Sequence, residues 1–314
     1  MKRFFAFALL LSVLAVPSSM VAQAEQIRLN FQHGTPENGD FTLGPTRYVL
    51  SMAPGDERTV EIQVTNRTGV DATFRVSSED FAADSEMEGT PSFFSADLEG
   101  PYPARLWLDP EATRFATKHG ERAFLNVTVR VPEDAEPGDH QAAIIIEREV
   151  PSDAPSGIAI VSRVATLFII TVDGPQVRDG RLDWLRSQRY LNWLLPIAMQ
   201  LHAVNPGTVH LAPTGTIDIK NLFGITVDEV PLRNWYVLRD SSRTKDLEWA
   251  PRFALGRYTA STNLVAYDGQ PLPVLSTAFW VIPIIPVIIA LAAIFLVSFV
   301  VQIFFSRFEI RRKK

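Results

Sequence analysis

The sequence predicts an all-β protein: two tandem immunoglobulin-like β-sandwich domains followed by one C-terminal transmembrane helix. Between residues 45 and 175 apolar side chains recur with period two more often than 3.6, the period of strands with one face on a core and one in water. The second half repeats short strand-and-turn patterns of the first in the same order. A single uncharged apolar run, Phe279 to Phe305, precedes a basic tail, and its length suits one bilayer crossing.

The first element in order is a leader. Lys2 and Arg3 precede the apolar stretch Phe4 to Val16, and Ala22-Gln23-Ala24 is a small-x-small site. That is the layout of a secretory signal over residues 1–24, cleaved between Ala24 and Glu25. An uncleaved N-terminal anchor is the alternative. At the other end, the helix expected over 279–305 has Pro283 and Pro286 in its first turns, where a missing amide costs least. Trp280 stands at its outer edge, a place where aromatic rings favour the headgroup level. The tail, 306–314, carries Arg307, Arg311, Arg312, Lys313 and Lys314. Basic residues stay on the cytoplasmic side, so residues 25–278 are expected outside a cell membrane crossed once. A charged end also argues against a lipid-anchor signal. The pentapeptide Leu211 to Gly215 loosely resembles a sortase signal, but its proline is misplaced and it reads as a turn.

Charge and cysteine content narrow the function classes. The formal charge is −5; the leader contributes +2 and the tail +4, which leaves −11 on the outward part. Such a surface repels polyanions, so nucleic acid is not an expected partner. With no cysteine, disulfides, thiolate zinc sites and thiol nucleophiles are excluded. The outward part must hold itself together by core burial, and its length suffices for two domains of about 100–150 residues. Asn66 and Asn126 stand in N-x-T sequences and read as ordinary strand-end residues.

The first sandwich is expected over 25–174. Val60, Ile62 and Val64 alternate with Thr59, Glu61, Gln63 and Thr65; Phe74 and Val76 follow; then Leu125, Val127, Val129 and Val131 oppose Phe124, Asn126 and Thr128. Ile158 to Gly174 is more uniformly apolar, as in a strand with little solvent on either face. Turn signals at Pro54-Gly55-Asp56, Asn66 to Gly69, Pro137-Gly138-Asp139 and Asp173-Gly174-Pro175 separate the runs. The second sandwich is expected over 175–278. Val64 to Gly69 has a counterpart in Ala203 to Thr208, and Gly138 to Ile146 one in Gly256 to Ala266, with Tyr258 where His140 stands. Arg181 to Pro196 suits an amphipathic helix or the first strand of the second domain, and periodicity alone does not choose.

The stretches Pro54 to Gly69, Leu106 to Phe115, Val127 to Glu147 and Val164 to Gly174 together resemble the membrane-proximal WxL-interacting proteins of Gram-positive bacteria. The resemblance is to their N-terminal immunoglobulin-like domain, thought of as peptidoglycan-binding, and covers Pro45 to Gly174. The plan of signal, two β domains, one membrane helix and basic tail is similar too. The resemblance implies a surface protein that binds wall polymer or other surface and secreted proteins. It carries over no binding residue at a defined position.

Glu133, Asp134, Glu136, Asp139 and His140 crowd one short stretch. Their spacing fails the calcium-loop pattern, and Pro132 and Pro137 hold the segment extended. Pro137-Gly138 instead reads as a type II turn, with His140 placed to make a corner hydrogen bond of the kind a tyrosine makes in many sandwiches. His202 and His210 flank the Asn205-Pro206-Gly207 turn and read as surface or strand positions rather than metal ligands. No catalytic pair, G-x-S-x-G or phosphate loop is present, so no enzyme activity, metal or cofactor is expected. The best binding candidates lie between Asp80 and Arg122, a span too long for an ordinary connection. There Phe93, Phe94, Tyr102 and Trp107 stand among Glu86, Glu88, Asp97 and Glu99. Rings beside carboxylates suit sugar stacking or a protein interface. The competing reading makes Leu106-Trp107-Leu108 a core strand with Phe93-Phe94 over the sandwich edge. A strand-completing export chaperone of the two-domain immunoglobulin-like type is the alternative function, through an open sheet edge.

Overall fold

The structure, a computed structural model, describes residues 27–32, 34, 36–84, 90–95, 98–149, 161–267 and 269–307. The expected leader with its Ala24–Glu25 cleavage site, and tail residues Arg311, Arg312, Lys313 and Lys314, lie outside the described residues.

Domain 1 is built from β1 (Arg28–Phe31), β2 (Asp40–Gly44), β3 (Arg47–Met52), β4 (Glu57–Arg67), β5 (Ala72–Asp84), β6 (Thr90–Phe93), β7 (Leu108–Pro110), β8 (Arg114–Thr117), β9 (Glu121–Arg130), β10 (Gly138–Arg148) and β11 (Arg163–Val172). One sheet runs β1-β9-β4-β2 with β7 also on β9; the facing sheet runs β3-β11-β10-β5-β6 with β8 on β5. The alternation read from sequence explains the packing. Leu125, Val127 and Val129 are fully buried together with Ile62, Val64 and Phe74, and these side chains share one core with Phe168 and Ile170. Phe74 is edge-on to Phe41 at 4.9 Å and stacked with Phe115 at 5.4 Å, the offset arrangements that ring quadrupoles favour. β11 is covered on both faces. Phe168, Ile170 and Val172 enter the sandwich core, while Ile169 joins a second cluster on the outer face.

Domain 2 comprises β12 (Arg181–Ser187), β13 (Leu191–Asn192), β14 (Ile197–Asn205), β15 (Thr214–Lys220), β16 (Thr226–Leu232), β17 (Ser241–Trp249), β18 (Gly256–Ala266), β19 (Gln270–Pro271) and β20 (Ser276–Val281). Its sheets are β12-β14-β17 and β13-β20-β18-β15-β16, with β19 on β18. The topology repeats that of domain 1. In each domain an early strand pairs antiparallel with the next long one (β2 with β4, β12 with β14), and between the two the chain crosses to the other sheet. After crossing, a short strand runs parallel to the domain's last strand, β3 on β11 and β13 on β20. The two sequence patterns therefore mark one fold used twice.

The 181–196 segment is strand, not helix. A register shift between Leu182 and Trp184 in the β12–β14 pairing inserts an extra residue. Leu182 and Leu185, three positions apart, consequently both enter the core. That bulge is why the spacing looked helical.

α1 (Ile284–Arg307) is 24 residues long and includes the tail's Arg307. It is long and apolar enough to cross a membrane by length and composition, and its Ile288–Phe305 window is not buried in the protein. The helix expected from residue 279 begins five residues later. Phe279, Trp280 and Val281 are the end of β20, and Phe279 and Val281 are buried in the core of domain 2. The buried end of β20 and the exposed residues of α1 are both apolar, so no composition change marks the junction.

Candidate functional site

The Val131–Ile146 stretch resolves into two separate arrangements on opposite faces of β10, as consecutive strand residues must. His140 points into domain 1. Its Nε2 lies 2.9 Å from the Glu136 carbonyl oxygen and its Nδ1 3.3 Å from that of Pro103, with the Trp107 ring 4.5 Å away. In domain 2 the Tyr258 hydroxyl contacts the Leu255 carbonyl at 3.4 Å and the Leu255 amide at 3.3 Å, with Trp249 edge-on at 4.9 Å. The corner bond expected at His140 is thus present in both domains, an aromatic ring folded back onto the turn before its own strand.

Asp139 points the other way, into domain 2. Its carboxylate is buried; Oδ1 accepts from the Thr171 hydroxyl at 2.6 Å. Oδ2 accepts from the His210 amide at 2.6 Å and from His210 Nδ1 at 2.8 Å, so Nδ1 carries the ring proton. The Asp139 amide donates to the Thr208 carbonyl at 2.8 Å, and Arg239 Nη1 donates to the Asp139 carbonyl at 3.1 Å. Asp139 and His140 therefore do not converge on one ion. Nor do the two domain 2 histidines meet: His202 stacks on Trp184 and bonds Asp183 at 3.1 Å, while His210 serves the domain boundary.

Arg239, itself buried, places its guanidinium 3.6 Å over the Tyr102 ring, a cation–π contact. The Tyr102 hydroxyl donates to Asp240. Burial, then that carboxylate, push the Tyr102 phenol above its ordinary range. Below this polar layer, Phe81, Ala143 and Ile169 on the outer face of domain 1 meet Leu238 and Tyr236 of domain 2. Asn66 and Asn205 close the equivalent turns. Asn66 Nδ2 donates to the Val70 and Thr117 carbonyls at 2.9 and 3.1 Å. Asn205 Nδ2 donates to Val209, Val237 and Leu238 at 2.8, 3.1 and 3.0 Å.

The long Asp80–Arg122 span is not one loop. β5 continues to Asp84 and β6 folds back on it, with Phe81 opposite Phe93. Asp80, fully buried, accepts the Ala104 amide at 2.9 Å and the Arg105 amide at 2.8 Å, and pairs with the Arg105 guanidinium at 3.5 Å. These bonds pin a 3-10 turn, Arg105–Trp107. Leu106 is exposed there and Leu108 buried, so Leu106 to Leu108 is a turn entering β7 rather than a core strand. Of the four aromatic candidates, Trp107 packs against the core, and Tyr102 faces domain 2. Phe94 is half-buried, and Phe93 is exposed at 41 %. Glu99 is described and exposed, while Glu86, Glu88 and Asp97 lie outside the described residues.

Beyond the end of β3, the edge of β11 is open among the described residues. β3 covers β11 only from Leu167 to Val172, and Leu167 donates outward to Thr46. By alternation, the amides and carbonyls of Ala165 and Arg163 face the same way. Among the described residues β10 pairs with that stretch on one side, and no strand pairs with its other side. Val164, on the inner face there, packs at the margin of the core.

No family model matches the chain, and no curated protein matches it in sequence. Solved structures similar to it include the Escherichia coli chaperone DraB (14 % identity, TM-score 0.38, 76 % of this chain and 97 % of that one). Another is the complex of the Salmonella enterica SafA pilin with the SafB chaperone (15 %, 0.37, 77 % and 97 %). A third is the Pseudomonas aeruginosa CupB2 chaperone (13 %, 0.36, 76 % and 100 %). At these levels the likeness says nothing of partner or activity.

Sequence reasoning missed Asp80, Thr208, Tyr236 and Arg239. Each acts through a contact distant in the chain, and only the polar residues at strand starts hinted at one.

Proposed function

We propose that this is a non-enzymatic, membrane-anchored envelope protein that holds a client polypeptide by strand addition to the open edge of β11. The observation that carries this reading is the uncovered stretch Arg163–Thr166 beside β3, whose outward backbone groups can accept a further strand. An added strand would extend the β3 line and shield Val164. α1 supplies the anchor, with both sandwiches outside the membrane and the basic tail inside. The rigid boundary at Asp139 holds the edge at a fixed place relative to domain 2. Photo-crosslinking in native cells from a photoreactive residue at Val161, which is 43 % exposed, tests it. The expected product is a secreted β-rich polypeptide, lost in Ala165→Pro, which removes one outward amide and no bond to β10. Crosslinking unchanged by that substitution overturns the reading.

A second reading, binding of wall polymer, draws on the exposed Phe93 and Glu99 and on the resemblance to WxL-interacting proteins. Retention of the full chain on purified sacculi, weakened by Phe93→Ala, would support it; no retention of the unsubstituted chain sinks it.

A further inference from the structure

The strand registers of domain 2 give it two distinct poles. The end of β14 lies beside the start of β17, Asn205 opposite Ser241, and the turns there face domain 1. At the other pole Ile197 lies opposite Trp249, Lys220 opposite Thr259 and Gly256 opposite Val281. Three connections, before β14, between β15 and β16 and before β18, meet at this second pole, and α1 leaves from it.

Each of these connections exposes apolar side chains. The β15–β16 tip shows Leu222 at 63 %, Phe223 at 83 % and Ile225 at 61 %. The segment before β14 shows Tyr190 at 69 %, Trp193 at 45 % and Leu194 at 62 %. The segment before β18 shows Phe253 at 62 % and Leu255 at 56 %. Single exposed apolar residues are ordinary, but a set drawn from three loops of one pole marks a surface that something covers. Between residues 188 and 196, 221 and 225, and 250 and 257 there is no acid, while Arg189, Arg252 and Arg257 are present. No carboxylate pairs with these three arginines among the described residues. The rest of the outward chain is acidic.

The junction fixes what lies against the pole. Only Ile282 and Pro283 separate β20 from α1, a reach of about 7 Å. Even these are held: the Trp280 amide donates to the Tyr190 carbonyl at 2.7 Å and the Ile282 amide to that of Asn192 at 2.9 Å. Trp280 Nε1 reaches the Tyr190 hydroxyl at 3.2 Å. No slack remains to lift domain 2 away from a bilayer that α1 crosses.

We propose that this pole is a membrane-docking face, seated on the bilayer that α1 spans. Phe223, Trp193 and Phe253 enter the boundary between headgroups and acyl chains, and Arg189, Arg252 and Arg257 lie on anionic headgroups. The inference rests on the reading of α1 as a membrane span. It makes domain 2 a rigid pedestal and sets the height and direction of domain 1 above the membrane.

The absence of cysteine permits a clean test on the full chain in lipid nanodiscs of phosphatidylcholine mixed with phosphatidylglycerol. Single cysteines are placed at Phe223, at Val70 of domain 1 and at Leu296 within α1, then labelled with an environment-sensitive fluorophore. Lipids bearing a doxyl group near the headgroup are expected to quench the label at 223 about threefold or more above that at 70. Lipids bearing it near the chain end should quench the label at 296. Quenching at 296 with equal, weak quenching at 223 and 70 overturns the docking face while leaving the anchor intact. No quenching at 296 removes the anchor reading and the proposal with it. Omitting phosphatidylglycerol should lessen the quenching at 223; equal values remove the part assigned to the arginines.

Discussion

Asp139 of domain 1 and His210 of domain 2 are joined twice, through the His210 amide at 2.6 Å and its ring Nδ1 at 2.8 Å, by one carboxylate oxygen. Hydrogen bonds to a buried carboxylate are stronger than neutral ones and costly to leave half-made. Asp139→Ala would strand the His210 donors and the Thr171 hydroxyl. It is expected to lower stability by about 3 kcal/mol. Calorimetry of the full chain in detergent should show the single transition separate into two as the domains uncouple. An unsplit transition at the original temperature would contradict this role.

The Tyr102–Asp240 contact predicts an alkaline weakness at the same boundary. Burial and the neighbouring carboxylate raise the Tyr102 phenol in the folded chain, so the folded state holds its proton more tightly than the unfolded state. The associated stability is complete below the unfolded value of about 10 and is lost as pH rises through the folded one. Tyr267 is raised by burial as well and acts in the same direction. The melting temperature should fall between about pH 9 and 11, and Tyr102→Phe should flatten part of that fall. A slope unchanged by the substitution would place the effect elsewhere.

Asn205 gives a second stability prediction, since the two hydrogens of its amide nitrogen are shared among three carbonyls and its Oδ1 accepts the Gly207 amide. Asn205→Ala removes those bonds and leaves buried acceptors, at a cost of about 3 kcal/mol. Asn66→Ala loses its two donated bonds and also those that its Oδ1 accepts from the Thr68 amide and hydroxyl, and is expected to cost about 3 kcal/mol as well. Chemical denaturation of the two variants should show comparable losses; a loss below about 1 kcal/mol in either would show that its turn is held by something else.

Much of this fold was legible because a sandwich writes its core into alternation. Leu125, Val127 and Val129 are inward by the alternation of β9 alone, and Asn66 with Asn205 and His140 with Tyr258 align the two domains in sequence. Illegible parts have physical causes. The bulge at Leu182–Trp184 disguised a strand with helical spacing. Buried Phe279 and the apolar residues of α1 look alike by composition, which blurs the start of that helix. The apolar pole was invisible because Trp193, Phe223 and Phe253 come from separate loops that only strand register gathers. The burial of Asp139 is hidden in sequence among neighbouring carboxylates, since its partners His210 and Arg239 lie 71 and 100 residues away.

Gly138 and Gly256 offer an internal comparison, because they begin equivalent strands with φ of +115° and +112°. Both conformations disfavour any residue with a Cβ, so alanine strains each backbone by about 1 kcal/mol or more. Their surroundings differ. A Cβ on Gly256 would meet nothing within 4 Å, whereas one on Gly138 would lie 2.7 Å from the Thr208 carbonyl oxygen and 3.4 Å from Arg239 Nη1. Gly256→Ala should therefore lower the stability of domain 2 modestly and leave the boundary intact. Gly138→Ala should cost clearly more and push Thr208 off the Asp139 amide, loosening the two domains. Small-angle scattering of the full chain in detergent, alongside calorimetry, reads both effects. Equal losses in the two variants, with no change in shape for Gly138→Ala, would mean that the close approach at Thr208 relaxes without consequence.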